Sequence, residues 1–250
     1  MDVTPTDVTG RRILVTGASS GLGRHMAMML AARGARVAAA ARRVEALEAL
    51  AAEGMGRIAP VAMDVADPAS VTAGVAAAVE ALGGLDGLVN NAGVAAAAPA
   101  ASMSEDAWRG VMAVNLDGAF GVAQAAFGAM GAGGSIVNVA SILGFGTGRG
   151  LAAYAASKAA VVSLTRSLAL EWAAAGVRVN ALAPGYIPTE MNADHLNGPG
   201  GAAILKRIPM RRFGDPSDLD GPLLLLLSDA GRYMTGVVIP VDGGHLAAPL

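Results

Sequence analysis

Seven short apolar runs alternate with long alanine-rich segments along the chain, and this alternation limits the possible folds more than any other feature of the sequence. A run such as Ile13-Leu14-Val15 lacks in-out alternation, which is typical of strands that helices cover on both faces. Strands joined by helices predict a parallel sheet with right-handed crossovers. A β/α barrel would need eight such units and a phosphate site near the end of the chain, so we expect an open sheet instead. The predicted strands span residues 12–16, 36–40, 58–63, 87–90, 135–140, 177–181 and 237–240.

Length and composition indicate a single domain, residues 1–250, whose ligand is a small molecule. A chain of 250 residues can bury one large core, and 54% hydrophobic against 4% aromatic residues suits alanine-rich helices packed closely on a sheet. The net charge of -2 comes from interspersed acidic and basic residues, so we predict neither nucleic-acid binding nor a membrane-binding patch. The three histidines are scattered and the chain has no cysteine, so we predict no metal site.

Three segments bear on location and on the shape of the site. Residues 1–12 are polar and lack the layout of a signal peptide, so we expect a cytoplasmic protein. Five leucines follow Pro222, too few to span a membrane, and predict a buried helix over residues 218–228 that lies at a subunit interface. Residues 189–212 place asparagine, glycine and proline between two short helical pieces, which predicts a mobile lid over the site.

A glycine-rich turn joins the first predicted strand to a helix predicted over residues 25–32. Gly17 permits a tight turn, Gly21 lets the backbone approach a pyrophosphate, and Gly23 lets helix and strand pack closely. The helix N-terminus adds N–H groups and partial positive charge, so we predict dinucleotide phosphates here rather than a purely structural turn. The predicted contacts of this turn are Gly17, Ser19, Ser20, Gly21, Leu22 and Gly23.

A tyrosine and a lysine four residues apart form the candidate reacting centre. Tyr154 and Lys158 project from one helix face, so the ammonium is expected to hold the pKa of the phenol below about 10 and allow proton transfer near neutral pH. Ser141 lies thirteen residues upstream, at the end of the fifth predicted strand. Standing alone, the pair would be read as a chance contact on a helix surface.

Together these motifs resemble the short-chain dehydrogenase/reductase family, and the resemblance covers essentially the whole chain. It implies a Rossmann-type doubly wound α/β fold, a seven-stranded parallel sheet with helices on both faces, and a site at the C-terminal edge of the sheet. The matching features are the Gly-x-x-x-Gly-x-Gly turn, Asp64, Asn90-Asn91-Ala92-Gly93, Asn115, Ser141, Tyr154, Lys158, Pro184-Gly185 and Val241-Asp242-Gly243-Gly244.

The resemblance assigns catalytic roles to four residues. Tyr154 would be the general acid/base, and Ser141 would hydrogen-bond the substrate oxygen. Lys158 would favour the tyrosinate and hold the nicotinamide ribose. Asn115 would hold a water that links Lys158 to solvent; without the resemblance we would interpret it as a helix kink or a satisfied buried amide.

The resemblance also places the cofactor. Asp64 and Val65 would border the adenine, although Asp64 could instead cap the following helix, a role for which Asp67 is the better candidate. The small residues after the fourth strand would line the ribose. The segment after the sixth strand would meet the nicotinamide. The residues concerned are Asn91, Ala92, Gly93, Pro184, Gly185, Ile187 and Thr189.

The end of the second predicted strand favours NADP(H) over NAD(H). Ala41 stands where NAD users of the family carry Asp, and Arg42 follows, so a 2′-phosphate would meet a guanidinium instead of a carboxylate. The alternative interpretation of Arg42 and Arg43 is a solvated helix start.

We therefore predict an NADP(H)-dependent oxidoreductase that reduces an apolar ketone, keto ester or 3-oxoacyl thioester, with Arg149 near the entrance to meet an anionic group. An NAD-dependent alcohol or polyol dehydrogenase working oxidatively is the alternative, and a nonenzymatic dinucleotide sensor is less favoured. The family also implies a homotetramer. The expected substrate wall comprises Val94, Ile142, Leu143, Phe145, Tyr186 and Met191.

Overall fold

A computed structural model describes residues 6–190 and 192–247. Seven parallel strands form one sheet in the order β3-β2-β1-β4-β5-β6-β7, which confirms the predicted strand number and the doubly wound arrangement. The order reverses direction between β1 and β4, where open α/β sheets bind ligands beyond the carboxyl ends of their strands. The strands are β1 (Arg12–Thr16), β2 (Arg36–Ala41), β3 (Ile58–Ala62), β4 (Leu85–Asn90), β5 (Met130–Val139), β6 (Arg178–Pro184) and β7 (Val238–Val241).

The predicted strand boundaries differ from the observed ones mainly in β5. This strand starts at Met130 rather than at Ser135, and its pairing with β4 shifts register between Leu85 and Gly87. Of the five added residues only Met130 pairs with β4, opposite Leu85, and three of them are glycines, so they carry no apolar strand pattern.

Helices cover both faces of the sheet. They are α1 (Gly21–Ala32), α2 (Val44–Glu53), α3 (Pro68–Leu82), α4 (Glu105–Met112), α5 (Ala119–Ala129), α6 (Ala152–Trp172), α7 (Ala193–Asn197), α8 (Pro199–Arg207) and α9 (Asp220–Leu227). Ile13 and Val15 of β1 face a core formed with α1, α2 and α9, whereas Leu14 between them faces a second core formed with α3, α5 and α6. Burial on both faces explains the uninterrupted apolar runs of the strands.

Local sequence signals account for the helix ends that matter to the site. The side chain of Asp67 accepts a hydrogen bond from the backbone of Ala69, and Pro68 occupies the first turn, so Asp67 caps α3 as predicted. The helix ends at Gly83, which adopts the left-handed conformation (φ 74°).

The leucine-rich helix is buried within the chain. Four of the five leucines in α9 have at most 4% of their surface exposed, and the helix packs against β5 and β6. This confirms the predicted buried helix, and packing inside the subunit accounts for its composition. Within the described residues, no helix is both long enough and apolar enough to cross a membrane.

Candidate active site

One cavity of about 380 Å³ lies at the C-terminal edge of the sheet and brings together nearly all of the predicted site residues. All of the cofactor and catalytic residues named from the sequence line it except Asn115, which lies beneath its wall. Of the predicted substrate wall, Val94 lines this cavity and Tyr186 lines a neighbouring one, while Met191 lies outside the described residues. Lining residues that the sequence did not single out as contacts are Ala41, Arg43, Met63, Val114, Val139, Ala140, Glu190 and Asn192.

The glycine turn is held against the strand edge by close backbone packing. A Cβ at Gly23 would lie 2.3 Å from the Gly17 carbonyl oxygen and 2.5 Å from Asn91 Nδ2. Gly17 itself adopts φ 67°, and a Cβ there would lie 2.9 Å from Ala92. Only glycine fits at these positions, so the turn keeps the N-terminus of α1 open toward the cavity.

Thr16 joins this turn to the loop that follows β4. Its hydroxyl accepts hydrogen bonds from the backbone N–H groups of Asn91 and Ala92, both at 3.0 Å. Asn91 Nδ2 in turn donates to the Thr16 carbonyl at 2.9 Å. These bonds hold the two loops at a fixed separation, so a dinucleotide lying along the cavity would meet both.

Ser141 and Tyr154 both line the cavity. The Ser141 hydroxyl accepts a hydrogen bond from Leu143 N at 3.1 Å. Burial raises the pKa of Tyr154 above its usual range, and the hydrogen bond from Ser141 opposes that rise. We expected Lys158 to hold the pKa of Tyr154 below its usual value. That expectation is wrong, because desolvation of the phenol outweighs the influences that lower its pKa.

Lys158 is buried beside Tyr154, with 4% of its surface exposed. Its Nζ donates to the Val139 carbonyl at 2.7 Å and lies 5.7 Å from the centroid of the Tyr154 ring. Burial lowers the pKa of Lys158 to about 8. Desolvation therefore lowers the proton affinity of the Lys158 amine, an effect that the i, i+4 spacing alone could not predict.

Substituting this lysine should change how stability depends on pH. Because the pKa of Lys158 is 10.5 ordinarily and about 8 when folded, the unfolded chain binds more protons between these values. Below pH 8 the buried charge lowers the unfolding free energy by about 3 kcal/mol, and this loss disappears as the pH rises. We expect the wild type to gain about 3 kcal/mol in unfolding free energy relative to Lys158→Met between about pH 7.5 and 10.5, measured by urea unfolding.

The other lysine provides the control for this experiment. Lys206 is exposed on α8, so Lys206→Met should leave the pH dependence parallel to that of the wild type. Parallel curves for wild type and Lys158→Met would contradict the lowered pKa.

Asn115 lies in a π-helical turn, Ala113–Gly118, between α4 and α5. Its Oδ1 accepts from Val94 N at 2.8 Å, and its Nδ2 donates to the Val94 carbonyl at 2.9 Å and to Ser157 Oγ at 3.0 Å. The side chain is thus a satisfied buried amide at an irregular helical turn, as the interpretation without the resemblance suggested. Its holding a water for Lys158 stays a prediction.

The part of the cavity that follows β2 and β3 is lined by charged residues. Arg42 lines the cavity, and Arg43, which the sequence did not favour, donates to Ser20 Oγ at 2.7 Å and to Ser19 Oγ at 3.2 Å. The Asp64 carboxylate accepts from Ala66 N at 3.0 Å. It lines the cavity and does not cap α3.

Asn192 fastens the segment that follows β6. Its Oδ1 accepts from Thr189 N at 2.7 Å and from the Thr189 hydroxyl at 3.3 Å, and its Nδ2 donates to the Ile187 carbonyl at 2.9 Å. In the sequence these bonds are indicated only by an asparagine three residues after a threonine. That pattern is weak evidence, because such local bonds are common in turns.

Comparison with known proteins agrees with this geometry. A family profile described as enoyl-(acyl carrier protein) reductase matches residues 17–245. D-Threitol dehydrogenase of Mycolicibacterium smegmatis is 41% identical over 241 residues, covering 94% of this chain and 93% of that protein. 2-Dehydro-3-deoxy-D-gluconate 5-dehydrogenase of Escherichia coli is 45% identical over 166 residues, and the match spans 64% of each chain.

A solved structure is similar to the chain along its whole length. The crystal structure of a gluconate 5-dehydrogenase from Burkholderia cenocepacia, in complex with NADP and tartrate, superposes with a TM-score of 0.94 at 35% identity and covers 98% of both chains. The chain belongs to the short-chain dehydrogenase/reductase family of NAD(P)-dependent oxidoreductases.

Proposed function

We propose that the protein transfers hydride between NADP(H) and a carbon that is a ketone in one direction and a secondary alcohol in the other, with ketone reduction favoured. The observation that carries this proposal is the placement of Ser141, Tyr154 and Lys158 in the same cavity as the glycine turn. A proton donor, an oxygen-binding hydroxyl and a cradle for dinucleotide phosphates would then belong to one cavity.

The residues of the chain supply everything except the hydride, which bound NADPH would provide. The Tyr154 hydroxyl would donate its proton to the oxygen of the substrate carbonyl as negative charge develops there. Ser141 would hydrogen-bond the same oxygen and hold it in place. Burial raises the pKa of Tyr154, so the phenol holds its proton at neutral pH and can donate it in reduction, while the same group would accept a proton in oxidation.

NADP(H) is preferred over NAD(H) in this proposal because the adenosine end is basic. Ala41 supplies no carboxylate, and Arg42 and Arg43 both line the cavity. A 2′-phosphate would form charge-assisted hydrogen bonds with either group, whereas the 2′-hydroxyl of NAD would not.

Removing these arginines should weaken the use of NADPH selectively. We expect Arg42→Ala and Arg43→Ala each to lower kcat/KM for NADPH by about tenfold, and the double variant by roughly a hundredfold, with kcat/KM for NADH little changed. Initial rates with the two cofactors side by side measure this. Arg33→Ala is the control, since Arg33 is exposed at the end of α1 and does not line the cavity. An equal loss with both cofactors would argue against a 2′-phosphate contact.

A second candidate is the oxidation of a hydroxyl-rich substrate such as a polyol or sugar acid. The similar proteins named above carry the names of threitol and gluconate-type dehydrogenases. Glu190 and Asn192 line the cavity and could hydrogen-bond hydroxyl groups. These features favour a more polar substrate than the predicted apolar ketone.

A substrate panel run in both directions separates the candidates. With NADPH and NADH the panel holds an acetoacetyl thioester, small keto esters, cyclic ketones and keto sugar acids; with NADP+ and NAD+ it holds tetritols, hexitols and gluconate. Faster reduction of the ketones supports the first candidate, and faster oxidation of the hydroxyl-rich compounds the second. Cofactor binding without turnover of any compound would favour a nonenzymatic sensor.

Three further features belong to the proposal. The chain acts as one domain, and residues 189–212, with α7 and α8, form a lid over the cavity. The protein is a cytoplasmic homotetramer, and the exposed Trp108 and Phe120 near the junction of α4 and α5 offer apolar surface for association. Light scattering coupled to size-exclusion chromatography would measure the assembly directly.

A further inference from the structure

Ser157 lies on α6 between the two residues of the reacting centre, but it does not reach the cavity. It is completely buried, and its neighbours along the helix are mostly alanines. Its hydroxyl donates to the Tyr154 carbonyl at 2.8 Å and accepts from Asn115 Nδ2 at 3.0 Å. The buried hydroxyl thus both donates and accepts a hydrogen bond. Because alanine is a better helix former than serine, helix stability does not explain a serine at this position.

The partners of Ser157 connect the two halves of the site. Asn115 uses one amide hydrogen for Ser157 and the other for the Val94 carbonyl, and its oxygen accepts from Val94 N. Val94 follows Gly93 in the loop that lines the cavity after β4. A continuous chain of hydrogen bonds therefore runs from this loop through Asn115 and Ser157 to the first turn of α6, which carries Tyr154.

Gly93 of the cavity loop lies close to both Asn115 and Lys158. A Cβ at Gly93 would lie 3.4 Å from Asn115 Oδ1 and 3.5 Å from Lys158 Nζ. The Asn115 amide and the Lys158 ammonium therefore lie near the same point of the cavity loop. Because Asn115 is bonded to the backbone of Val94, a rotation of its amide would change the position of the loop relative to Lys158. Because buried donors must keep a partner, loss of the Ser157 oxygen would leave one Asn115 N–H unpaired and favour such a rotation.

We propose that Ser157 is a positioning residue that sets the distance between the cavity loop at Asn91–Val94 and the Tyr154–Lys158 pair by fixing the Asn115 amide. It acts through Asn115 and touches neither substrate nor cofactor. The inference depends on the proposed hydride transfer for its effect on turnover, whereas its effect on the loop is independent of any activity.

The test compares Ser157→Ala with Ser167→Ala on the same helix. The Ser167 hydroxyl makes the same kind of bond to an earlier carbonyl, that of Ser163, but on an exposed face without a partner from another element. For Ser157→Ala we expect kcat to fall about tenfold or more with KM for the cofactor changed little, since misplaced reacting groups lower the rate more than binding. Ser167→Ala should match the wild type.

A double-mutant cycle with Asn115→Ala distinguishes positioning from loss of stability. If Ser157 acts through Asn115, the double variant should be no slower than Asn115→Ala alone. Additive losses, or an unchanged kcat in Ser157→Ala at a lower melting temperature, would overturn the inference. Should the alanine variant fail to fold, Ser157→Cys keeps the volume with a much weaker hydrogen bond, and an unchanged kcat there would equally overturn it.

Hydrogen exchange provides a measurement that needs no turnover. The Val94 N–H is bonded to Asn115 Oδ1. Its exchange should therefore accelerate about tenfold in Ser157→Ala and stay unchanged in Ser167→Ala. If the wild type turns over no substrate, the proposed function fails, but the exchange rate of the Val94 N–H still tests the positioning role of Ser157. An unchanged exchange rate at Val94 in Ser157→Ala would overturn that role.

Discussion

Replacing Tyr154 with phenylalanine is expected to lower kcat about a thousandfold while leaving the Kd for NADPH within roughly threefold of the wild type. The variant loses only the phenolic oxygen, which is the group that can exchange a proton with the substrate. The aromatic ring stays, so the packing beside Lys158 and the shape of the cavity are kept. Single-turnover rates with saturating NADPH measure the chemical step, and fluorescence titration measures binding.

Tyr233 offers a matched control for this substitution because its side chain is fully exposed, at 101% of the reference surface. Tyr233→Phe should retain wild-type kcat and Kd. Normal turnover by Tyr154→Phe would falsify the assignment of Tyr154 as the proton donor. A parallel collapse of NADPH binding would instead mean that the phenol serves the cofactor more than the substrate.

Gly23→Ala is the second substitution with a large expected effect. The new Cβ would lie 2.3 Å from the Gly17 carbonyl oxygen and 2.5 Å from Asn91 Nδ2, and neither backbone nor amide can move without disturbing the glycine turn. We expect a loss of about 3 kcal/mol in unfolding free energy from overpacking. The affinity for NADPH should fall on the order of a hundredfold as α1 moves away from β1.

Gly110→Ala separates steric crowding from the general effect of replacing a glycine in a helix. Gly110 is exposed in α4, and a Cβ there meets nothing within 4 Å. This control should gain about 0.5–1 kcal/mol through higher helix propensity and bind NADPH normally. Wild-type affinity in Gly23→Ala, measured alongside it, would show that the turn does not hold the cofactor phosphates.

Much of the candidate site could be predicted because its signals are local. The glycine turn, Asn91-Ala92-Gly93 and Pro184-Gly185 each end a strand whose apolar run is visible in the sequence, and parallel strands bring their carboxyl ends to one edge. The cap at Asp67 also followed from neighbouring residues alone. The position of Arg43 at the cavity was harder to predict, because its bond to Ser20 joins residues 23 positions apart on different elements.

The sequence by itself determined the fold class, the order of strands and helices along the chain, and which residue types would meet at the sheet edge. These features depend on hydrophobic periodicity and on short motifs. The tertiary structure decided the protonation tendencies of Tyr154 and Lys158, because desolvation depends on every element that encloses them. It also decided the partners of Asn115, which lie 21 and 42 residues away and meet only where a π-helical turn points the amide inward. Spacing along a chain specifies which side chains share a face, whereas burial and long-range hydrogen bonds arise only when separate elements pack together.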